Sequence, residues 1–401
     1  MRVSTAQFYF QNSQQLSNKQ SDVNEQVGYL SSGKRIHTAK DDAVGYSTLA
    51  GYKDELANIE KYQRNIIQAE SRNTLQELSF SSAEDVLQQL KQLFIQANNG
   101  TLNQQDLTSL ADLAKNSQSE LLDIANKKDE SGNYIFSGYQ VDVKPFSLQP
   151  DNSVVYQGDN GVRELQIAKN VFVELNQSGD DAFDKITNSK GDFSATYNTN
   201  TSGISLNRAV IVDRGSYDSV SNPADYNFNF TSATDLTVTD SLGATVFSTS
   251  SYNAGQTIAF NGMEVQLSGN PLPGDNIDLT PNENISVFDT VKSAIDWINT
   301  DINASDLIKH QINYAEVLGQ IDKALNHMSA RRSDAGVRMK LIETQKNHHL
   351  DSELYLATGR SNIEDLDFAK AVATYEQTQV ALRAAQQTFA EIKDLTLFNY
   401  I

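Results

Sequence analysis

The histidine residues are the first candidates for chemistry, because an imidazole can act as a general base or bind a metal near neutral pH. The chain has five of them: His37, His310, His327, His348 and His349. No two have the i, i+4 spacing that places both imidazoles on one helix face, which excludes a zincin-type metal site. The adjacent pair His348-His349 is typical of a solvated surface. We therefore expect no metal site and no catalytic histidine.

Other catalytic motifs are missing as well. The chain has no cysteine, so a thiol nucleophile, a disulfide and a Cys-ligated zinc site are excluded. Gly33-Lys34 lacks the upstream glycine and the downstream Ser or Thr of a phosphate-binding loop, and no G-x-S-x-G nucleophile elbow is present. Asp41-Asp42 is interpreted as the negatively charged start of the following helix. The sequence predicts a protein that is not an enzyme and needs no cofactor.

The overall charge narrows the possible partners. There are 32 Lys and Arg against 51 Asp and Glu, which gives a net charge of −19 and a pI near 4.6. Nucleic acids and anionic membranes both bind basic surfaces, so we expect neither as a partner. No apolar run reaches the roughly 20 residues of a membrane span, and the N-terminus lacks the apolar core of a cleaved signal. These tests alone predict a cytoplasmic protein, but they cannot detect export by an uncleaved terminus.

The composition divides the chain into three zones. Residues 1 to about 130 and about 286 to 398 are rich in helix formers, whereas the middle zone is rich in Ser, Thr, Asn, Gly, Val and aromatic residues. All six prolines lie between Pro145 and Pro281. This order predicts a mainly α fold: an elongated antiparallel helical bundle or coiled coil built from both chain ends, with a β hairpin and an inserted β domain.

Apolar residues recur at gaps of three and four along the C-terminal zone, as in a coiled coil. This seam consists of Phe368, Ala371, Tyr375, Thr378, Leu382, Ala385, Phe389 and Ile392. Ser361 and Glu364 have capping-box spacing and predict the start of this helix, after a break at Thr358-Gly359. The N-terminal seam has only about one apolar residue per heptad, namely Tyr9, Leu16, Val23 and Leu30. Fuller stripes occur at 80–97, 110–124 and 314–342.

The two terminal helices need partners for their apolar seams, because a helix gains most of its stability by burying one face. Packed on each other they would bury a narrow strip and leave Val372, Val380 and Leu395 uncovered. We therefore predict that the pair is marginal or disordered in the monomer and becomes ordered only when copies of the chain pack together. The alternative is that both helices close a bundle with the rest of the chain.

The middle zone carries strand and turn signals. Tyr226, Phe228 and Phe230 alternate with asparagines, as on a half-buried strand. Asn261-Gly262 between two apolar runs predicts a hairpin with a type I′ turn. A second hairpin is predicted between Val154–Tyr156 and Arg163–Ile167. A short amphipathic helix with Trp297 is predicted over Val287–Ile298.

The motifs at the two chain ends resemble those of the flagellin superfamily. The N-terminal match runs through Leu30–Ile36 and Ala39–Gly45, and the C-terminal match covers Ser361–Ala369. Further motifs are similar to those of the hook-associated members, which connect the hook to the filament. These are Gly132–Gly138 with Pro145-Phe146, Tyr156–Asp159 with Arg163, Gly269–Pro271 with Gly274-Asp275, and Leu397–Ile401.

The resemblance implies a domain order. It comprises an N-terminal inner-core helix at 1–40, the first part of a helical rod domain at 41–185 with a β hairpin at 132–180, an inserted β domain at 186–284, the second part of the rod domain at 285–357, and a C-terminal inner-core helix at 358–401. Both inner-core helices are expected to be disordered in the monomer, and the inserted domain is expected to bear little on assembly.

The resemblance also implies a function and a set of partners. We expect a structural adapter that leaves the cell through the type III export apparatus after a transient stay in the cytoplasm, and that is then located outside the cell at the junction between hook and filament. Its expected partners are other copies of itself, hook-associated protein 1, flagellin and a flagellar export chaperone. The expected assembly residues are Tyr9, Leu16, Val23, Leu30, Phe368, Tyr375, Leu382, Phe389 and Ile392. The chaperone is expected to bind Phe368, Tyr375, Leu382 and Phe389.

Three alternatives remain at this point. Flagellin itself, the filament subunit, shares both terminal motifs. An enzyme domain carried on a flagellin-like scaffold would have its activity in the β insertion, although that segment contains no histidine. A cytoplasmic coiled-coil scaffold would be found only inside cells.

Overall fold

The computed structural model describes residues 5–219, 225–300 and 307–394, with side chains from residue 7 to residue 391 in these ranges. The chain divides into two units, one formed by Met1–Asn65 with Thr344–Ile401 and the other by Ile66–Glu343. We call them the terminal unit and the central unit.

Helices dominate both ends of the described chain. They are α1 (Thr5–Ser32), α2 (Ala43–Ala97), α3 (Gln104–Ala125), α4 (Arg214–Asp218), α5 (Val287–Asn299), α6 (Leu307–Glu364) and α7 (Phe368–Asp394), with one π-helical turn at Asp180–Asp184. The mainly α fold with a β insertion is therefore confirmed. Among these helices, none combines the length and the apolar character that a membrane crossing requires.

Local signals explain where two of the central helices begin. At the start of α3, the Asn103 side chain accepts from the Asp106 amide and the Asp106 carboxylate accepts from the Asn103 amide, which is a capping box. At the start of α5, the Ser286 hydroxyl oxygen accepts from the Phe288 amide. The short helix predicted around Trp297 is confirmed as α5.

The strands lie between α3 and α5. They are β1 (Phe146–Leu148), β2 (Val154–Tyr156), β3 (Glu164–Ala168), β4 (Val171–Glu174), β5 (Ile186–Thr187), β6 (Phe193–Thr199), β7 (Ser205–Ile211), β8 (Tyr226–Phe230), β9 (Leu236–Asp240), β10 (Thr245–Thr249), β11 (Thr257–Phe260), β12 (Met263–Ser268), β13 (Asn276–Pro281) and β14 (Asn284–Ile285). One sheet has the order β10-β9-β8-β13-β6, and another has the order β11-β12-β7. Their strand pairs are antiparallel.

The hairpin predicted at Asn261-Gly262 is confirmed. Strands β11 and β12 pair through it, with Phe260 opposite Met263. Both turn residues have positive φ angles, +46° for Asn261 and +75° for Gly262, as a type I′ turn requires. The Asn-Gly pair therefore fixes the register of this hairpin.

The second predicted hairpin, between Val154–Tyr156 and Arg163–Ile167, is wrong. Strand β2 pairs with β1, and β3 pairs with β4 through a short turn in which Asn170 has a φ of +60°. The Asp159 carboxylate accepts hydrogen bonds from the amides of Tyr139, Gln140 and Gly161. These bonds hold the connection between β2 and β3 against an upstream turn, so the two strands separate.

The central unit has two large apolar cores, one helical and one β, and a smaller third cluster that includes Ile66 and Ile342. In the helical core, the Phe94 ring from α2 lies 5.0 Å from the Trp297 ring of α5 and 4.9 Å from the Tyr314 ring of α6, measured between centroids. In the β core, Tyr226, Phe228 and Phe230 are buried while Asn229 between them is exposed, which confirms the predicted alternation. Each of the two large cores is built around its own set of aromatic side chains.

The predicted start of the C-terminal helix at Ser361 is wrong. Helix α6 continues through Thr358-Gly359 and ends at Glu364, and α7 begins at Phe368. Its cap is Asp367, whose carboxylate accepts from the Lys370 amide at 3.1 Å. The Ser361 hydroxyl instead bonds the Asp365 carboxylate at the end of α6. Capping-box spacing alone does not distinguish the last turn of one helix from the first turn of the next.

Candidate assembly interface at the chain ends

Helices α1 and α7 pack along each other in the terminal unit. Near one end of the pair, the rings of Tyr9 and Phe389 meet edge to face with centroids 6.4 Å apart. Further along, Val23 of α1 and Ala371 and Leu382 of α7 are buried. The two thin seams thus cover each other along a narrow strip.

The predicted assembly residues differ in how much this pairing buries them. Val23 and Leu382 are buried, Phe368 is 55% exposed, and the side chain of Ile392 lies outside the described part of the chain. The remaining predicted residues are half-buried: Tyr9, Leu16, Leu30, Tyr375 and Phe389. Among the four predicted chaperone-binding residues, only Leu382 is therefore fully covered within the monomer.

Several apolar side chains of the pair remain in solvent. Val372 is 47% exposed and Val380 is 60% exposed, as predicted, whereas Leu395 lies outside the described residues. Phe8 and Phe10 on α1 are also exposed. The heptad pattern did not single out these two, because they flank Tyr9 outside the seam. The helix pair therefore offers apolar surface for a neighbouring chain, where full burial of one such side chain contributes about 1.5–3 kcal/mol.

The flagellin-like terminal motifs meet in space. The Arg35 amide donates to the Glu364 carbonyl oxygen at 2.7 Å, and the Leu366 amide donates to the Gly33 carbonyl oxygen at 3.0 Å. These two bonds make Lys34 and Asp365 partners in an antiparallel bridge. We call this contact between the α1–α2 turn and the α6–α7 turn the clasp. It joins the two sequence segments that carry the family resemblance.

A buried carboxylate lies at the centre of the clasp. Glu364 is 5% exposed, and its Oε1 lies 2.7 Å from the Lys34 ammonium and 3.0 Å from the Lys53 ammonium. Burial alone would raise the pKa of the Glu364 carboxyl. The hydrogen bonds from the two lysines outweigh that effect and hold this pKa below its usual range. The carboxylate is therefore charged and doubly paired at neutral pH.

The α1–α2 turn has its own supports. Gly33 has a φ of +69°, which favours glycine, and the Phe368 ring packs over it. The Asp41 carboxylate accepts from the amides of Thr38 and His37, and these bonds lower the pKa of the Asp41 carboxyl. Asp42 accepts from the Gly45 amide and so caps α2. Of the predicted acidic pair, Asp42 serves the helix start and Asp41 closes the turn.

Comparisons with known proteins place this geometry in a family. Models of the bacterial flagellin N-terminal and C-terminal helical regions match residues 3–141 and 318–401. Flagellar hook-associated protein 3 of Escherichia coli is 29% identical over 187 residues, which cover 47% of this chain and just over half, 58%, of that protein. The Salmonella typhimurium protein of the same name is 21% identical over 399 residues, which cover 100% of this chain and 99% of the relative.

A solved structure decides the family. The crystal structure of flagellar hook-associated protein 3 from Legionella pneumophila is 30% identical to this chain, with a TM-score of 0.67. The match covers 78% of this chain and 98% of that one. The chain belongs to the flagellar hook-associated protein 3 family. It is a structural component of the flagellum within the flagellin superfamily.

Flagellins match this member of the hook-associated protein 3 family more distantly. The flagellin of Serratia marcescens is 28% identical over 177 residues, which cover 43% of this chain and 46% of that protein. The prediction of a hook-associated protein over a filament subunit is confirmed.

Two of the internal motifs that resemble hook-associated proteins, Gly132–Gly138 with Pro145-Phe146 and Tyr156–Asp159, form one turn cluster in the central unit. The Tyr156 hydroxyl lies within hydrogen-bond distance of two carbonyl oxygens, those of Phe136 at 3.1 Å and Asp159 at 2.7 Å. Gly138 has a φ of +76° and lies directly against the Asp159 backbone. In this family member the motifs therefore build structure, because their polar groups bond each other.

The histidines of this family member occupy separate places. His310 stacks on Trp297 with centroids 4.0 Å apart, and burial lowers the pKa of its imidazole. His327 is within hydrogen-bond distance of the Asp181 carbonyl oxygen. Within the part of the chain that the structure describes, no group of three or more His, Asp or Glu side chains is arranged to hold a metal ion.

Proposed function

We propose that this chain is the structural adapter that joins the hook to the filament of the bacterial flagellum and that it has no enzyme activity. Membership of the hook-associated protein 3 family supports the location. The observation that carries the mechanism is the α1–α7 pair, which buries Val23 and Leu382 but leaves Val372, Val380 and Phe10 in solvent. Such a pair has too little buried surface to be rigid alone and has apolar surface left for a neighbour.

The assembly step follows from this division of surface. In proteins, tertiary packing of one face provides most of the stability of a helix. Helices α1 and α7 have 28 and 27 residues, and each buries one narrow strip against the other. Packing of several copies around a common axis would cover the exposed side chains as well. The terminal helices would then gain their stable order from the ring of copies rather than from the monomer.

The proposed neighbours are other copies of this chain, hook-associated protein 1 on the hook side and flagellin on the filament side. Because all three belong to assemblies with paired terminal helices, the same α1–α7 surface would be used on each side. The central unit would give the subunit its own folded body. The predicted assembly residues remain predictions, since their contacts with neighbours lie outside a single chain.

Export precedes assembly in this proposal. The chain would leave through the type III apparatus, with an export chaperone holding α7 in the cytoplasm. Leu382 and Ala371 are covered by α1 in the folded chain. A chaperone that binds the α7 seam must therefore displace α1, and this keeps the terminal unit open until export.

Electron microscopy of a strain without this chain tests the function. We expect hooks that carry no filaments, together with flagellin released to the medium. Expression of the intact chain should restore filaments, and expression of the Leu382→Asp variant should not. Filaments that persist in the deleted strain would reject the junction role, and detection of the protein only inside cells would favour a cytoplasmic scaffold.

A further inference from the structure

The clasp links α1 and α7, two helices that are far apart in the sequence. Helix α1 continues into α2 through the turn at 33–42, and helix α7 is reached from α6 through the turn at 365–367. The clasp places the Arg35 amide on the Glu364 carbonyl and the Leu366 amide on the Gly33 carbonyl. The Arg35 guanidinium also donates to the Ile363 carbonyl at 2.9 Å. Backbone and side-chain hydrogen bonds thus hold the C-terminal end of α1 next to the N-terminal end of α7.

We propose that Glu364 is a positioning residue that makes α1 and α7 order as one pair. Its backbone carbonyl accepts one of the two bridge bonds, and its carboxylate accepts from Lys34 on the α1 side and from Lys53 on α2. The Arg360 guanidinium lies further away, at 3.9 Å. The Glu364 side chain at the end of α6 therefore bonds both the α1–α2 turn and α2.

The physical reason is effective concentration. Once the clasp holds the end of α1 beside the start of α7, the remaining contacts between the two helices form at a high effective concentration. Without the clasp, they would have to form between two independently moving chain ends. The carboxylate enforces this closure, because removing the charge partners of a buried acid leaves it unpaired at high cost. When the clasp opens, the adjoining ends of α1 and α7 are no longer held side by side. Order in α1 then requires order in α7.

The clasp can be locked closed by an engineered disulfide. Lys34 and Asp365 form the pair between the two bridge bonds, and such non-hydrogen-bonded antiparallel pairs bring their Cα atoms to about 4.5 Å. That separation suits a disulfide. The chain has no cysteine of its own, so a Lys34→Cys, Asp365→Cys variant contains one possible intramolecular pair. Glu364 keeps Lys53 as a partner in this variant.

The rate of disulfide closure in the dilute monomer measures how often the clasp is formed. In a glutathione redox buffer, adding Glu364→Gln to the two cysteines should slow closure about fivefold or more, since closure follows the population of the closed state. The matched control is Glu353→Gln, which removes an exposed carboxylate from the same helix and should leave the rate unchanged. Equal closure rates with and without Glu364 would overturn the proposal.

Hydrogen exchange of the locked monomer tests whether the two helices are coupled. Oxidation of the cysteine pair should slow amide exchange in α1 and α7 together by about tenfold or more, and reduction should reverse it in both. Single-cysteine variants should show no redox effect. Slower exchange in one helix only, or in neither, would contradict the proposal. Because the test uses the isolated chain, its result does not depend on the role at the hook–filament junction.

Discussion

The amide of Arg35 lies 2.7 Å from the carbonyl oxygen of Glu364, which joins the end of the first flagellin-like motif to the middle of the last one. These segments come from opposite ends of the chain and meet only after folding. The contact fixes where α1 and α7 start to run together. Beyond this contact, the packing of α1 on α7 depends on a thin apolar strip that includes Val23 and Leu382.

A charge within the strip should separate the terminal helices without unfolding the central unit. Leu382 is buried in the α1–α7 pair, so Leu382→Asp places a carboxylate where burial would cost several kcal/mol, and the pair opens instead. Circular dichroism should show at most a small loss of helix, because the pair is only marginally ordered in the monomer, while the thermal midpoint of the central unit shifts by less than about 2 °C. The control Gln386→Asp adds the same charge at an exposed position of α7 and should change neither signal. A strongly shifted central midpoint would mean that α7 stabilises the whole monomer.

An exposed apolar side chain of α7 should matter for assembly and not for the monomer. Val380 is 60% exposed, so Val380→Asn should leave the helix content and melting of the purified chain unchanged. In cells that carry it as the sole copy, we expect fewer filaments per cell, because a neighbour loses about 1–2 kcal/mol of apolar burial per subunit. Filaments are counted by electron microscopy beside cells with the Gln386→Asn control. Normal filament numbers would show that neighbours do not use this face.

Two glycines of the central unit allow the cost of backbone strain to be measured separately from the cost of steric overlap. Both Gly132 and Gly138 have positive φ angles, +86° and +76°. A Cβ at Gly132 meets open space, so Gly132→Ala should cost about 1–2 kcal/mol from the left-handed backbone alone. A Cβ at Gly138 overlaps the Asp159 carbonyl oxygen, so Gly138→Ala should cost about 3 kcal/mol or more. Urea unfolding measures both losses, and equal losses would argue against the close contact with Asp159.

Asp184 gives the central unit a pH dependence. Burial raises the pKa of its carboxyl to about 6 in the folded chain, with the Ser286 hydrogen bond opposing this rise and nearby Asp180 and Asp289 adding to it. The unfolded value is near 3.8, so the folded state binds more protons between these values and stability falls as the pH rises from about 4 to about 6. At lower pH the carboxyl is protonated in both states and its penalty disappears.

The Asp184→Asn variant should remove this pH dependence, since the amide oxygen can still accept from Ser286. Its unfolding free energy should exceed that of the native chain by about 2 kcal/mol near pH 7 and equal it near pH 4. Denaturant unfolding across this range is the measurement. An exposed control, Asp112→Asn, should change stability by less than about 0.5 kcal/mol at either pH. Parallel curves for Asp184→Asn and the native chain would contradict a raised pKa.

Patterns of short range were enough to predict much of the fold. The heptad seams, the alternating aromatic residues of β8 and the Asn-Gly turn each act within a few residues of the chain. Their helices, strand and hairpin are present, as is the amphipathic helix around Trp297. The thin N-terminal seam also predicted the exposure of Val372 and Val380.

The errors and omissions came from interactions between distant segments. The sequence of β2 and β3 predicts one hairpin, but the Asp159 carboxylate in their connection accepts hydrogen bonds from the amides of Tyr139 and Gln140. The capping spacing of Ser361 and Glu364 suggested a helix start, although the Glu364 carboxylate bonds Lys34 and Lys53 instead. The motif resemblance indicated that both segments matter, but no local pattern could show that they bind each other.

Hydrogen exchange of the terminal helices before and after assembly tests the central claim most directly. It compares the amides of α1 and α7 in the dilute purified chain with the same amides in isolated flagella. We expect rapid exchange in the monomer and exchange slower by about 100-fold or more in the assembly, while α3 and α5 stay protected in both. Terminal helices as protected as α3 in the dilute monomer would contradict the claim that they gain their order from neighbouring copies.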